Sequence, residues 1–117
     1  MCGIAGFVDF AGHAKDEAHA RVRRMADSII QRGPDEGGTY VDDFVALGHR
    51  RLSIIDVSSG QQPMGALDGK VQIVFNGEMY NCVALRAALA ARGHRFKTHC
   101  DTEVILHLIA QSRRPDL

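Results

Sequence analysis

The 117-residue chain is long enough for one domain with a modest core, burying about two thirds of the surface its unfolded chain exposes. Its 14 basic and 14 acidic residues cancel, which argues against a dedicated nucleic-acid or anionic-membrane binder. No run of about 18 apolar residues marks a membrane span, and Asp9 cuts the apolar start short of a secretory signal core.

In chain order, residues 3 to 8 read as a short buried strand. A helix is predicted over 16–31, because Ala18, Val22, Met25, Ala26, Ile29 and Ile30 share one face at helical spacing. Gly33 and Pro34 stop it. Residues 37–41 and 44–48 read as two strands joined at Asp42-Asp43. Leu52 to Val57 is a further apolar run, and Ser58 to Pro63 is loop by composition. Val71, Ile73 and Phe75 alternate, which predicts a strand over 71–76 that Gly77 breaks. Asn81 is placed to cap a helix over 82–92, which Gly93 ends. Phe96 marks a short strand candidate. Asp101 or Thr102 caps a last helix carrying Val104, Ile105, Leu108 and Ile109. This order implies an α+β or layered-sheet fold, not a doubly wound one. No strand closes the chain after the last helix, so a truncated domain is expected.

Three cysteines, Cys2, Cys82 and Cys100, form an odd, widely spaced set. That is a poor disulfide framework and suits a reducing cytoplasm. With no CxxC pair, a structural zinc site is not expected. His94, His99 and Cys100 lie near one another in sequence, but their spacing forces no convergence of three or four ligands.

Four features carry chemistry. A small side chain at position 2 is expected to let the initiator methionine be removed, which would place the Cys2 thiol and a free α-amine on one residue. An α-amine with a pKa of about 7.7–8.0 is partly neutral at physiological pH and can take the thiol proton. The plain alternative is a small buried hydrophobe at a chain start. Phe75-Asn76-Gly77-Glu78 reads as a tight turn, or as an oxyanion hole built from the Asn76 amide and the Gly77 N–H. In His49-Arg50-Arg51-Leu52-Ser53, the arginines suit a solvated face or a planar carboxylate clamp. Asp101 suits a helix cap or an ammonium-binding carboxylate. Together the second meanings fit an α-amino acid whose side-chain amide is attacked by a thiol.

The sequence resembles the class II glutamine amidotransferases. The resemblance rests on Met1-Cys2-Gly3-Ile4-Ala5-Gly6 at the start. Arg32-Gly33-Pro34-Asp35, Gly48 to Asp56 (GHRRLSIID), Phe75 to Asn81 (FNGEMYN) and Asp101 to Ile105 (DTEVI) look like the asparagine synthetase branch. The resemblance implies an N-terminal nucleophile fold, a four-layer α/β/β/α sandwich, incomplete at its C-terminal end. It implies one partial glutamine amidotransferase domain over 1–117, with the synthetase domain absent. It implies hydrolysis of glutamine to glutamate and ammonia through a γ-glutamyl thioester. By matching position, Cys2 is the nucleophile and its freed amine the base. Asn76 and Gly77 form the oxyanion hole. Arg51 binds the glutamine carboxylate and Asp101 its ammonium. Glu78, with backbone groups of Leu52 and Ile54, helps line the pocket. Ammonia then passes to a C-terminal synthetase domain that uses ATP, aspartate and magnesium.

The chain departs from the family pattern at Met79, where isoleucine is expected, and at Cys100, where serine is common. It is shorter than the family's glutaminase domains and holds no Ser-Gly-Gly phosphate loop. A retained Met1 would leave Cys2 without its base. Two other readings fit the same residues. One is a non-catalytic fragment that binds glutamine or a partner, self-associating through unpaired edges. The other is a related amidotransferase with a non-aspartate acceptor.

Overall fold

A computed structural model describes residues 2–52, 60–66 and 69–112. The fold is α+β with antiparallel sheets. β1 (Gly3–Val8), β2 (Glu36–Val41) and β3 (Val45–Arg51) form one sheet in the order β1-β3-β2. β4 (Met64–Ala66) and β5 (Val71–Ile73) form a second. The helices are α1 (Lys15–Asp27), α2 (Cys82–Ala91) and α3 (Asp101–Ser112). Among the described residues, no helix is long and apolar enough to cross a membrane.

The expected hairpin exists, and Asp42 makes its turn. Asp42 Oδ1 accepts the N–H groups of Phe44 at 2.8 Å and Val45 at 2.7 Å, a local side-chain bond that replaces ladder bonds at the bend. α1 covers one face of the first sheet. Ala18 and Val22 pack on Ala46 there, with Phe7 and Val41 alongside. Burying a side chain such as Val22 is worth about 1.5–3 kcal/mol. Strand side chains alternate between faces, so Ala46 pointing at α1 sends Leu47, His49 and Arg51 to the opposite face. That face receives the residues of the candidate site. Gly38 pairs with His49, and a side chain at Gly38 would run into the Gln62 carbonyl. Glycine there lets the chain at Gln62 sit directly on the first sheet.

α1 ends four residues before the predicted boundary. The Ser28 hydroxyl donates to the Met25 carbonyl at 2.6 Å, and Ile29 N–H bonds back to Ala26, tightening the helix toward a 3-10 turn at Ile30–Arg32. Ile30 is accordingly 44% exposed, outside the apolar face assigned to it. β5 stops at Ile73, short of the predicted Asn76, because Phe75 N–H goes to the Gln62 side chain and not to a strand. Met64–Ala66 is a strand that the sequence reading missed. Asn81 sits at the N-cap of α2 but makes no side-chain cap bond; its carbonyl accepts Leu85 N–H instead. The apolar run at 52–57 falls almost wholly outside the described residues, as do Met1 and Ile54.

Phe96 is not in a strand. The backbone donors beside it are taken by Glu103, a buried carboxylate on α3. Glu103 accepts Lys97 N–H at 2.8 Å, Thr98 N–H at 2.7 Å and the Thr98 hydroxyl at 2.7 Å. Its other neighbour is His107 Nε2 at 3.4 Å. Burial alone would push the Glu103 pKa up, but these donors outweigh it and hold it below the ordinary value. The Phe96 ring packs on His107 and under the Arg86 guanidinium, each at 4.5 Å. Arg86 in turn donates to the carbonyls of Thr98 at 2.9 Å and Cys100 at 2.9 Å. This network fixes the approach to α3, and therefore the position of Asp101.

Candidate active site

Cys2, Arg51, Asn76, Gly77 and Asp101 line one pocket of about 150 Å³. They come from four separate stretches of chain, brought together by the packing just described. Cys2 leads into β1 and Arg51 ends β3. Asn76 and Gly77 follow β5, and Asp101 opens α3. Leu52 and Glu78, also singled out in the sequence, are not among the residues lining the pocket. Leu52 is 36% exposed and Glu78 faces solvent.

Cys2 is partly buried, and its carbonyl accepts Arg32 Nε at 3.3 Å. The Arg32-Gly33-Pro34-Asp35 turn is thus a clasp between the chain start and β3. Arg50 Nε donates to the Gly33 carbonyl at 2.9 Å, and Asp35 N–H donates to the Arg51 carbonyl at 3.1 Å. A side chain at Gly33 would strike the Arg50–Arg51 backbone, so only glycine allows this approach.

Arg51 stands cross-strand from Glu36 and pairs with it, Nη1 to Oε2 at 3.2 Å. The pair is mostly shielded, with the Arg51 side chain 14% exposed, so the guanidinium is held in one orientation at the pocket wall. Asp101 is the carboxylate among the described residues lining the same pocket. Asp101 does not cap α3 with its side chain among the described residues. Its Oδ2 accepts Met79 N–H at 2.9 Å, and Cys100 Sγ lies 3.7 Å from its Oδ1. An arginine and an aspartate on one small pocket match the carboxylate and ammonium of a free amino acid.

His49 and Gln62 are two of the pocket residues that carried no site role from sequence. His49 is 2% exposed, and its Nε2 is buried without a hydrogen-bond partner. Burial pushes its pKa down; the Phe75 backbone opposes this, the Arg51 cation adds to it and Glu36 opposes it. The net effect is a neutral imidazole in the pocket wall at neutral pH. Gln62 is the other. Its Oε1 accepts Phe75 N–H at 2.6 Å, and its Nε2 donates to Thr102 Oγ1 at 3.1 Å. The cue for both was present only as position: His49 opens the arginine motif, and Gln62 sits in what reads as loop.

Among the described residues, no group of three or more His, Cys, Asp or Glu side chains is arranged to hold a metal ion. His94 pairs with His107, Nδ1 to Nδ1 at 2.8 Å, and not with His99 or Cys100.

Residues 1–114 match the model of a glutamine amidotransferase domain. The chain is 42% identical over 109 residues to a protein named asparagine synthetase [glutamine-hydrolyzing] 3 of Bacillus subtilis, covering 92% of this chain and 18% of that protein. It is 43% identical over 109 residues to asparagine synthetase [glutamine-hydrolyzing] 2 of the same organism, covering 92% of this chain and 14% of the relative. The asparagine synthetase [glutamine-hydrolyzing] of Brassica oleracea is 40% identical over 110 residues, covering 92% and 18%. The chain thus spans less than a fifth of the length of these relatives. On this similarity, together with a pocket that gathers a cysteine, an arginine and an aspartate, the chain belongs to the glutamine amidotransferase domain family.

Proposed function

We propose that this chain hydrolyses glutamine to glutamate and ammonia, with Cys2 as nucleophile. The observation that carries the reading is the gathering of Cys2, Arg51, Asn76, Gly77 and Asp101 around one pocket. With Met1 removed, the α-amine of Cys2 takes the thiol proton. The sulfur attacks the side-chain amide carbon of glutamine, and the carbonyl oxygen becomes an oxyanion held by the Asn76 amide and the Gly77 N–H. The amine returns its proton to the leaving nitrogen, the C–N bond breaks, and ammonia departs. A γ-glutamyl thioester remains. Water, deprotonated by the same amine, adds to it, and collapse releases glutamate and the thiol. Arg51 holds the substrate carboxylate and Asp101 its ammonium.

The same reading gives the domain the four-layer N-terminal nucleophile sandwich. The packing of α1 on the first sheet and of α3 on the second supports it. In the whole protein the ammonia feeds an ATP-dependent synthetase domain that makes asparagine from aspartate. The ATP and magnesium belong to that domain, and no step above runs through them. A reducing compartment, the cytoplasm, suits a catalytic cysteine that must stay a free thiol.

Asp101→Asn separates binding from chemistry. It keeps the side-chain volume and an oxygen for Met79 N–H but removes the charge that faces the ammonium. The expected result is a rise in KM for glutamine of about tenfold or more, with a smaller change in kcat, because the lost attraction acts equally on ground and transition states. Steady-state ammonia release reads both. Unchanged KM would remove Asp101 from the substrate site.

A further inference from the structure

The Gln62 amide spans the pocket from one wall to the other. Phe75 lies immediately before the Asn76–Gly77 donors, and β5 has already ended at Ile73. Its N–H therefore has no strand partner, and an unpaired backbone donor at this half-buried place would be costly. Gln62 Oε1 accepts it at 2.6 Å. At its other end Gln62 Nε2 donates to Thr102 Oγ1 at 3.1 Å, and Thr102 is 1% exposed in the first turn of α3, next to Asp101. The orientation of the amide follows from this arrangement, since Phe75 N–H can only be met by the oxygen. The backbone of Gln62 is itself seated against Gly38 on the first sheet. One side chain thus references both the donor segment and the head of α3 to the sheet that carries Arg51. Gln62 also lines the pocket.

We propose that Gln62 is a positioning residue for glutamine hydrolysis, its bridge from Phe75 N–H to the Thr102 hydroxyl setting the separation between the Asn76–Gly77 donors and Asp101. This rests on the glutaminase reading above. The donors must meet an oxyanion whose place is set by the grip on the α-amino end of the substrate. A displacement of about 1 Å between the two can cost about 100-fold in rate. Asp101 keeps its own tie to Met79, whereas the Phe75 N–H is met by Gln62. Loss of the bridge should therefore fall on kcat more than on KM.

The test compares Gln62→Met, which keeps the length and loses the amide, with Thr102→Val and with the double variant. Each is measured in the whole protein for kcat, KM and thermal unfolding, beside wild type and Cys2→Ala. The expected result is a fall in kcat of about 10- to 100-fold for Gln62→Met, with KM changed about threefold or less. Thr102→Val breaks only one end and should cost about fivefold in kcat. The double variant should be no worse than Gln62→Met, because both changes cut one bridge. If Gln62→Met does not fold, Thr102→Val alone decides by the same loss of kcat. Folded variants with wild-type kcat, in a protein whose turnover depends on Cys2, would overturn this inference and leave the glutaminase reading standing. A wild type with no Cys2-dependent turnover would overturn both.

Discussion

Cys2→Ala is expected to lower glutamine hydrolysis by on the order of 10⁴-fold or more, to the level of the uncatalysed reaction in the pocket. Among the described pocket residues no other group can replace it. Asp101 is held by Met79 N–H, and Cys100, the other thiol there, directs its sulfur toward the Asp101 carboxylate at 3.7 Å. Water held by the donors would be a weaker nucleophile than the thiol, even with the residue-2 α-amine left in place as a base. The control is Cys82→Ala, which removes a thiol at the start of α2 that does not line the pocket. It should retain wild-type turnover. Ammonia release in a coupled assay reads both variants. Equal turnover in wild type and Cys2→Ala would sink the mechanism.

Asn76→Ala is expected to lower kcat by about 100- to 1000-fold, with KM for glutamine within about threefold. The asymmetry follows from what the donor meets. A neutral amide oxygen gains little from the Asn76 side chain in the ground state. The oxyanion that forms as the Cys2 sulfur adds carries a full charge and gains far more from a donor already held in place. The Gly77 N–H survives the substitution, so activity is reduced and not abolished. Steady-state kinetics across a range of glutamine concentrations checks this. A rise in KM with kcat intact would make Asn76 a binding residue and move the oxyanion elsewhere.

The parts of this fold that depend on neighbours in the chain could be read from the sequence. β1, α1 and the β2–β3 hairpin announce themselves by periodicity and by the Asp42 turn. The same holds for Cys2, Arg51, Asn76, Gly77 and Asp101, whose motifs are local and which meet at one pocket. What escaped was set by distant partners. Phe75 looked like the continuation of a strand because its alternation with Val71 and Ile73 is real. Its N–H, however, is claimed by Gln62, 13 residues earlier. Phe96 looked like strand because it is aromatic, but the donors beside it serve the buried Glu103. Gln62 itself reads as loop between Gly60 and Pro63, and only its partner Thr102, 40 residues on, reveals what the amide does. His49 was visible as the start of the arginine motif, but its burial and its unpartnered Nε2 appear only once β3 is packed.

The central claim is that a processed Cys2 is a competent nucleophile inside a glutamine-shaped pocket. Intact-mass spectrometry before and after a glutamine-like alkylating analogue tests it most directly. The expected result is a mass lacking Met1 that gains one adduct, located on Cys2 by peptide mapping and blocked by excess glutamine. A mass that retains Met1 and takes no adduct, or labelling spread over Cys82 and Cys100, would contradict it.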